Sequence, residues 1–297
     1  MNKLDPQKLF TQIAEDVPSE LHQHLFVTGS LAAAYHYRTE LMGQAINTKD
    51  ADLVIHPAGH VESCREMTEK LLGTGWRKTD ACFPMERQEP VDDLRAIRLL
   101  PPTSDEYFIE FLNIPEQDQI EAKKWIPIQM SDGWYGLPSF RFLGVVSIGR
   151  LRSEMGLEYA APSMMALTNL LSHPEVGKSR IESGSMTGTL RSAKDLGRVI
   201  ALARLAGRDE VESWQEPWFD AVKQCFPSGW KELTVKIGRG LEELLGDANA
   251  LQEAQRTTDI GILNGMNVTV DELRAEGERL IVDLIEPLRE MANDGIE

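Results

Sequence analysis

What this 297-residue chain lacks narrows it first. It has three cysteines, Cys64, Cys82 and Cys225, far apart and with no CxxC pair. An odd count in so long a chain does not make a disulfide framework, and three reduced thiols are expected. No stretch approaches 18 consecutive apolar residues, so no membrane span is expected. The opening residues, Met1-Asn-Lys-Leu-Asp-Pro, carry no long apolar run of a secretory signal, and a cytoplasmic location follows as an expectation. The six histidines form no HExxH, and there is no Walker loop, Rossmann fingerprint, coiled-coil heptad or zinc-finger spacing. No internal repeat or low-complexity tract is present.

Basic residues are also in short supply: 31 Lys and Arg stand against 47 Asp and Glu, a formal net charge of -16. Such a chain repels a phosphate backbone and is a poor non-specific binder of nucleic acid. The deficit is uneven. From Arg141 to Arg208 there are ten basic and five acidic residues, whereas Asp209 to the end has eight basic and twenty acidic. The middle could face a phosphate-bearing ligand while the tail supplies the overall charge; an ordinary mixed surface explains the same numbers.

Hydrophobic residues make up 42% of the chain, enough for a substantial core. The patterning changes along its length. Short apolar runs at Leu25–Val27, Ala51–His56, Arg95–Leu100, Tyr107–Leu112 and Phe142–Ile148 predict strands, with a further strand beginning at Trp76 and short irregular ones in 118–140. Helices are predicted over 5–16, 31–41 and 60–72, the second capped by Ser30. From there on helical spacing dominates, at 162–171, 192–206, 209–225, 230–245 and 271–291. The expected fold class is α+β: a mixed β-sheet core flanked by helices over 1–155, then a mostly helical domain over 156–297. Residues 245–270, with Gly261 and Gly265, are left open between one interrupted helix and two separate ones.

Three features of the first half fit one chemistry. Gly29-Ser30 stands where a strand meets a helix; glycine lets a phosphate approach the backbone, and the helix N-terminus offers unpaired N–H groups. Asp50-Ala51-Asp52 opens a strand, and residues i and i+2 of a strand share a face. Two carboxylates that close repel unless a cation sits between them, and magnesium, a hard ion with oxygen ligands, suits them. Glu110, inside the apolar run Tyr107–Leu112, is a charge that needs a reason, and it completes a three-carboxylate site if its strand lies beside that of Asp50 and Asp52. Each feature also has a plainer reading: a strand–helix junction without ligand, a solvated strand end, and alternation with one face partly exposed. Trp214, Trp218 and Trp230 fall in helical stretches and read as packing residues.

Taken together, Gly29-Ser30, Asp50-Ala51-Asp52 and Glu110 resemble the signature of the nucleotidyltransferase superfamily, a Gly-Ser turn, a DxD strand and a later acid on a neighbouring strand. Within it the pattern is most similar to the AbiEii-type, or minimal-nucleotidyltransferase-like, group. The stretch Arg38 to Thr48-Lys49-Asp50 matches that group's run into the DxD, and Arg191-Ser192-Ala193-Lys194-Asp195 stands in the place of its later Arg-x-x-Lys-Asp helix. The likeness spans about residues 20–210.

The resemblance implies a magnesium-dependent (Mg2+) transfer of a nucleotide from an NTP to an acceptor. Asp50, Asp52 and Glu110 would be the catalytic, metal-holding acids, with two ions between them. Gly29 and Ser30 would bind the phosphates, and Lys49, Arg191 and Lys194 would complete the nucleotide site. The acceptor is an RNA end such as that of tRNA, a protein hydroxyl or a small molecule, and a toxin role would bring a cognate antitoxin as partner. The chain departs from the group in having Thr168-Asn169 where its helix often offers a lysine. That departure, with the acidic tail, keeps open a second expectation: a catalytically silent member of the fold acting as a binding or scaffold protein.

Overall fold

The computed structural model describes residues 5–42, 48, 50–86, 94–102, 104–115, 123–182 and 186–294. The chain divides into two compact units, Met1–Arg38 with Gly43–Ala161, and Thr39–Met42 with Pro162–Glu297.

The first unit is built on a seven-stranded mixed sheet. Its members in chain order are β1 (Leu25–Thr28), β2 (Asp50–Ile55), β3 (Arg77–Lys78), β4 (Arg98–Leu100), β5 (Phe108–Asn113), β8 (Leu151–Arg152) and β9 (Glu158–Tyr159); β6 (Lys123–Met130) and β7 (Gly133–Phe140) form a separate two-stranded ribbon. Across the sheet the order is β3-β4-β5-β2-β1-β9-β8. β2 lies antiparallel to β1 and parallel to β5, so the strand that carries the two aspartates is central, with partners on both sides. Such a strand reads as nearly continuous apolar residues, and Leu53, Val54 and Ile55 are fully buried.

Among the described residues the α-helices of this unit are α1 (Pro6–Asp16), α2 (Gly29–His36) and α3 (Val61–Gly73). Asp5 caps α1, its Oδ1 accepting from the Gln7 and Lys8 backbone N–H groups at 3.0 and 3.2 Å, with Pro6 in the first turn where its missing donor costs nothing. The apolar face of α1 sets Phe10 against Tyr35 of α2, ring centroids 4.1 Å apart. α2 is a run of small residues, Ala32, Ala33 and Ala34, all buried, which lets the helix lie close to the sheet. Cys64 is on the buried face of α3, and burial pushes its thiol up to about 12, leaving it a packing residue.

The second unit is helical: α4 (Pro162–Ser172), α5 (Arg191–Glu212), α6 (Gln215–Cys225), α7 (Trp230–Lys236), α8 (Arg239–Gly246), α9 (Ala248–Ile260), α10 (Val270–Leu280) and α11 (Glu286–Asp294). The long α5 is its axis. Its buried face runs from Ser192 to Leu205, and at Gly197 the chains come so close that an added Cβ would stand 3.1 Å from the Ala254 Cβ of α9. Trp218 is wholly buried and donates its ring N–H to the Ser163 carbonyl at 3.0 Å, so it packs, as the sequence suggested. Among the described residues no helix is long and apolar enough to cross a membrane.

Several local expectations are corrected. Phe142–Ile148 is not a strand: Leu143–Ser147 is a 3-10 helix whose Leu143, Val145 and Val146 are buried by turning rather than by alternating. The region around 118–140 holds a regular ribbon of two eight-residue strands. Ser30 does not cap α2; the helix begins at Gly29, two residues before the expected start, with Thr28 at the cap position and its side chain making no cap hydrogen bond. The helix expected over 230–245 breaks at Gly238 (φ 84), and α9 fills part of the stretch left open, capped by Asp247, which accepts from the Asn249 and Ala250 N–H groups. Gly207 (φ 74, ψ 172) kinks α5.

Candidate functional site

The carboxylates meet through strand register. In the parallel β2–β5 pair Asp50 stands opposite Phe108 and Asp52 opposite Glu110. The buried residues Ala51, Leu53, Ile109 and Phe111 occupy the other face. Asp50, Asp52 and Glu110 therefore project from one side of two adjacent strands, whose spacing is about 4.8 Å. On the far side of β2, Thr28 stands opposite Asp52. The residue after it is Gly29, the first of α2.

Gly29 explains the turn. Its φ is +73°, a region that costs other residues about 1–2 kcal/mol. An added Cβ would also lie 2.5 Å from the Asp52 Oδ2. Backbone and carboxylate thus touch where the helix begins, and the N-terminal turn of α2 stands at the edge of the acidic face. Ser30, half-buried, is the next residue of that turn.

The surroundings of each acid differ. Asp50 is exposed and accepts from the Thr48 hydroxyl, Oδ1 to Oγ1 2.8 Å. Glu110 is largely covered, its side chain 13% exposed, and its Oε2 accepts from the Arg98 Nε at 2.7 Å. Arg98 comes from β4, where it stands directly opposite Glu110. Its guanidinium also lies over the Phe108 ring, 5.2 Å from the centroid. Reasoning from the sequence missed this arginine. Its partner is twelve residues away across an antiparallel pair that no local pattern announces, and the one available signal was that a covered Glu110 must have a cation near it.

Among the described residues no group of three His, Cys, Asp or Glu stands ready to hold a metal ion. Magnesium does not require one: it binds through one or two carboxylates and takes water and substrate phosphates for the remaining positions. Asp50 and Asp52, on one face at a strand end, suit that demand, while Glu110 is engaged by a guanidinium.

Of the predicted nucleotide-binding residues, Lys49 lies outside the described residues. Arg191 and Lys194 belong to the helical unit. Arg191 opens α5 and is exposed. Lys194 is half-buried and holds its Nζ 3.3 Å from the Asp195 Oδ1. Asp195 also receives His173 Nε2 at 2.9 Å. Burial alone would raise the Asp195 carboxyl; the Lys194 charge, the His173 hydrogen bond and the Arg198 charge outweigh it, and hold it well below the usual carboxylate range.

The histidines come closer than their spacing suggested. His24 and His60 stack with centroids 5.4 Å apart, and His56 follows the end of β2, its pKa lowered by burial first and then by Arg150. This group lies at the opposite end of β2 from Asp50.

No family model matches the chain, and no curated protein matches it. Among solved structures it is similar to a Helicobacter pylori protein named as a presumptive nucleotidyltransferase, at 10% identity and a TM-score of 0.41, covering 98% of this chain and 96% of that one. It is similar at the same TM-score, 0.41, to JHP933 from Helicobacter pylori, at 11% identity, covering 97% of this chain and 92% of that one. Likeness at that level is too slight to bear on activity.

Proposed function

We propose that this chain performs magnesium-dependent nucleotidyl transfer from an NTP, using the acidic face of β2 and β5 beside the β1–α2 turn. The observation that carries the reading is the contact of Gly29 with Asp52, an added Cβ falling 2.5 Å from the Oδ2. A phosphate against the turn and a cation on the aspartates would then be immediate neighbours, as an NTP with its counter-ion must be.

In this reading Asp50 and Asp52 hold the ion. Bound there, a divalent ion neutralises phosphate oxygens and makes the phosphorus easier to attack. Gly29 and Ser30 present backbone N–H groups to the triphosphate, with the positive end of α2 behind them. Thr48 fixes the Asp50 carboxylate through its 2.8 Å hydrogen bond, so that less rotamer freedom is lost on binding. Glu110 is the third acid of the face. Lys49, Arg191 and Lys194 are the proposed cationic partners of the nucleotide; Lys194 also serves Asp195 within its own unit. The acceptor is an RNA 3′ end such as that of tRNA, a protein hydroxyl or a small molecule, and a toxin role with a cognate antitoxin belongs to the same proposal, as does work in the cytoplasm.

A second reading, a silent member of the fold that binds or scaffolds, is favoured by the Arg98–Glu110 pair, which occupies one of the three acids. Calorimetric titration of each NTP with and without magnesium separates the two. Magnesium-dependent binding by the wild type, lost in the Asp50→Asn, Asp52→Asn double variant, supports transfer. No binding by the folded wild type supports the scaffold.

A further inference from the structure

Four neighbouring strands lay one row of side chains across the sheet: Arg98 on β4, Glu110 on β5, Asp52 on β2 and Thr28 on β1, each directly opposite the next. Beside that row lies a second pair, Phe108 opposite Asp50. The Arg98 guanidinium spans the two. Its Nε bonds Glu110 at 2.7 Å, and its carbon sits 5.2 Å over the ring of Phe108, the residue next to Asp50. A permanent positive charge therefore stands on the face with the three acids. An arginine cannot be deprotonated there, so the charge is fixed.

The Glu110 carboxylate already has its countercharge in Arg98. A second ion would have to take Glu110 from a partner bonded at 2.7 Å, and that carboxylate is only 13% exposed. Ion and guanidinium compete for one acid, and the guanidinium is already in place. Arg98 itself is 38% exposed, and beyond Nε its guanidinium makes no hydrogen bond among the described residues. The planar Nη edge is the group that pairs best with phosphate oxygens.

Resting on the proposed nucleotidyl transfer, we propose that Arg98 takes the place of a second metal ion: it uses Glu110 as its counter-ion, leaves Asp50 and Asp52 to hold one divalent ion, and offers its Nη groups to the phosphates of the bound nucleotide. Glu110 is then a positioning residue, holding the guanidinium over Phe108, rather than a ligand. This departs from the two-ion arrangement in which Glu110 shares a metal.

The test counts ions directly. Free manganese is followed by electron paramagnetic resonance as it is titrated into the wild type, Arg98→Ala and Glu110→Gln, with thermal melts to check folding. The proposal predicts one manganese per chain in the wild type, one in Glu110→Gln, and two in Arg98→Ala, where Glu110 is released. Two ions in the wild type falling to one in Glu110→Gln overturn the proposal while leaving the metal reading intact. None in the wild type overturns the metal reading and this inference with it. If Arg98→Ala folds and still binds one ion, Arg98 is not what excludes the second, and the proposal fails. If it does not fold, the wild type and Glu110→Gln decide between the two counts. A second arm uses a non-hydrolysable ATP analogue with magnesium: Arg98→Gln binds it about tenfold more weakly or worse, and Arg98→Lys recovers part of the loss. Equal affinity in all three overturns the phosphate contact.

Discussion

Asp195 and Asp50 are both aspartates near the start of an element, and their surroundings are opposites. Asp195, in the helical unit, receives His173 and faces Lys194 and Arg198, and those partners hold it ionised although burial opposes the charge. Asp50, in the sheet unit, is exposed, accepts from the neutral Thr48 hydroxyl, and stands two residues from a second aspartate on the same face. One acid has its countercharge within the protein. The other, among the described residues, is gathered with like charge, an arrangement that a cation would stabilise. A carboxylate tells little about function by its type; what the fold has supplied as its partner tells more.

The contrast breaks first if the sheet unit's acids prove structural. The Asp50→Asn, Asp52→Asn double variant is expected to lose magnesium-dependent NTP binding to below detection in calorimetry, a fall of at least about 100-fold, while remaining folded. A large drop in melting temperature with binding retained would invert the comparison.

The converse holds at Asp195. Asp195→Ala leaves Lys194 and His173 without their acid and is expected to cost about 3 kcal/mol in denaturant unfolding, because a largely covered pair loses one member; its side chain is 16% exposed. Metal binding should be unchanged. The pH dependence follows from the depressed pKa. Stability contributed by Asp195 is fully present above the ordinary carboxylate range, near pH 4, and is lost as pH falls below it toward the folded value. Wild type and Asp195→Asn should therefore differ in stability at pH 7 and converge in acid. A difference that grows in acid would contradict this.

A smaller effect sharpens the sheet side. Arg98→Ala uncovers a carboxylate 13% exposed, whose partner is itself 38% exposed, so the loss is expected near about 1.5–3 kcal/mol rather than the full value of a buried pair. Gly29→Ala should cost about 1–2 kcal/mol from its backbone angle. Because the added methyl would press on Asp52, it should also weaken NTP binding more than Gly59→Ala, which has a similar positive φ and nothing within 4 Å. Equal binding in the two variants would detach the turn from the acids.

Much of the acidic face could be read from residue order alone. A Gly-Ser at a strand–helix boundary, a DxD on an apolar strand and an acid inside another apolar strand are local signals, and strand alternation puts each on a definite face. What joins them is register, which depends on partners far away in the chain; that is why Asp52 could be matched with Glu110 only conditionally. Arg98 was invisible for the same reason. The ribbon of β6 and β7 was obscured by Pro127 and Pro138, which argue against a central strand. Beyond their mutual ladder the described pairing is confined to isolated bridges from β7 to Met85 and Ala96, so a missing N–H at Pro127 or Pro138 costs little. Phe142–Ile148 misled in the other direction, since a short apolar run buries equally well as one helical turn. Asp247 was a legible cap that went unused, and with it α9 would have been separated from α8.

The contrast between the two units is tested most directly by magnetic-resonance mapping with a paramagnetic ion. Manganese added with an ATP analogue to the isotope-labelled protein broadens backbone amides within reach of the bound ion. The account predicts the strongest broadening at Gly29, Ser30, Ala51, Leu53 and Ile109, and its loss in the Asp50→Asn, Asp52→Asn variant. Broadening centred instead on His173, Lys194 and Asp195, or unchanged in the variant, would contradict it.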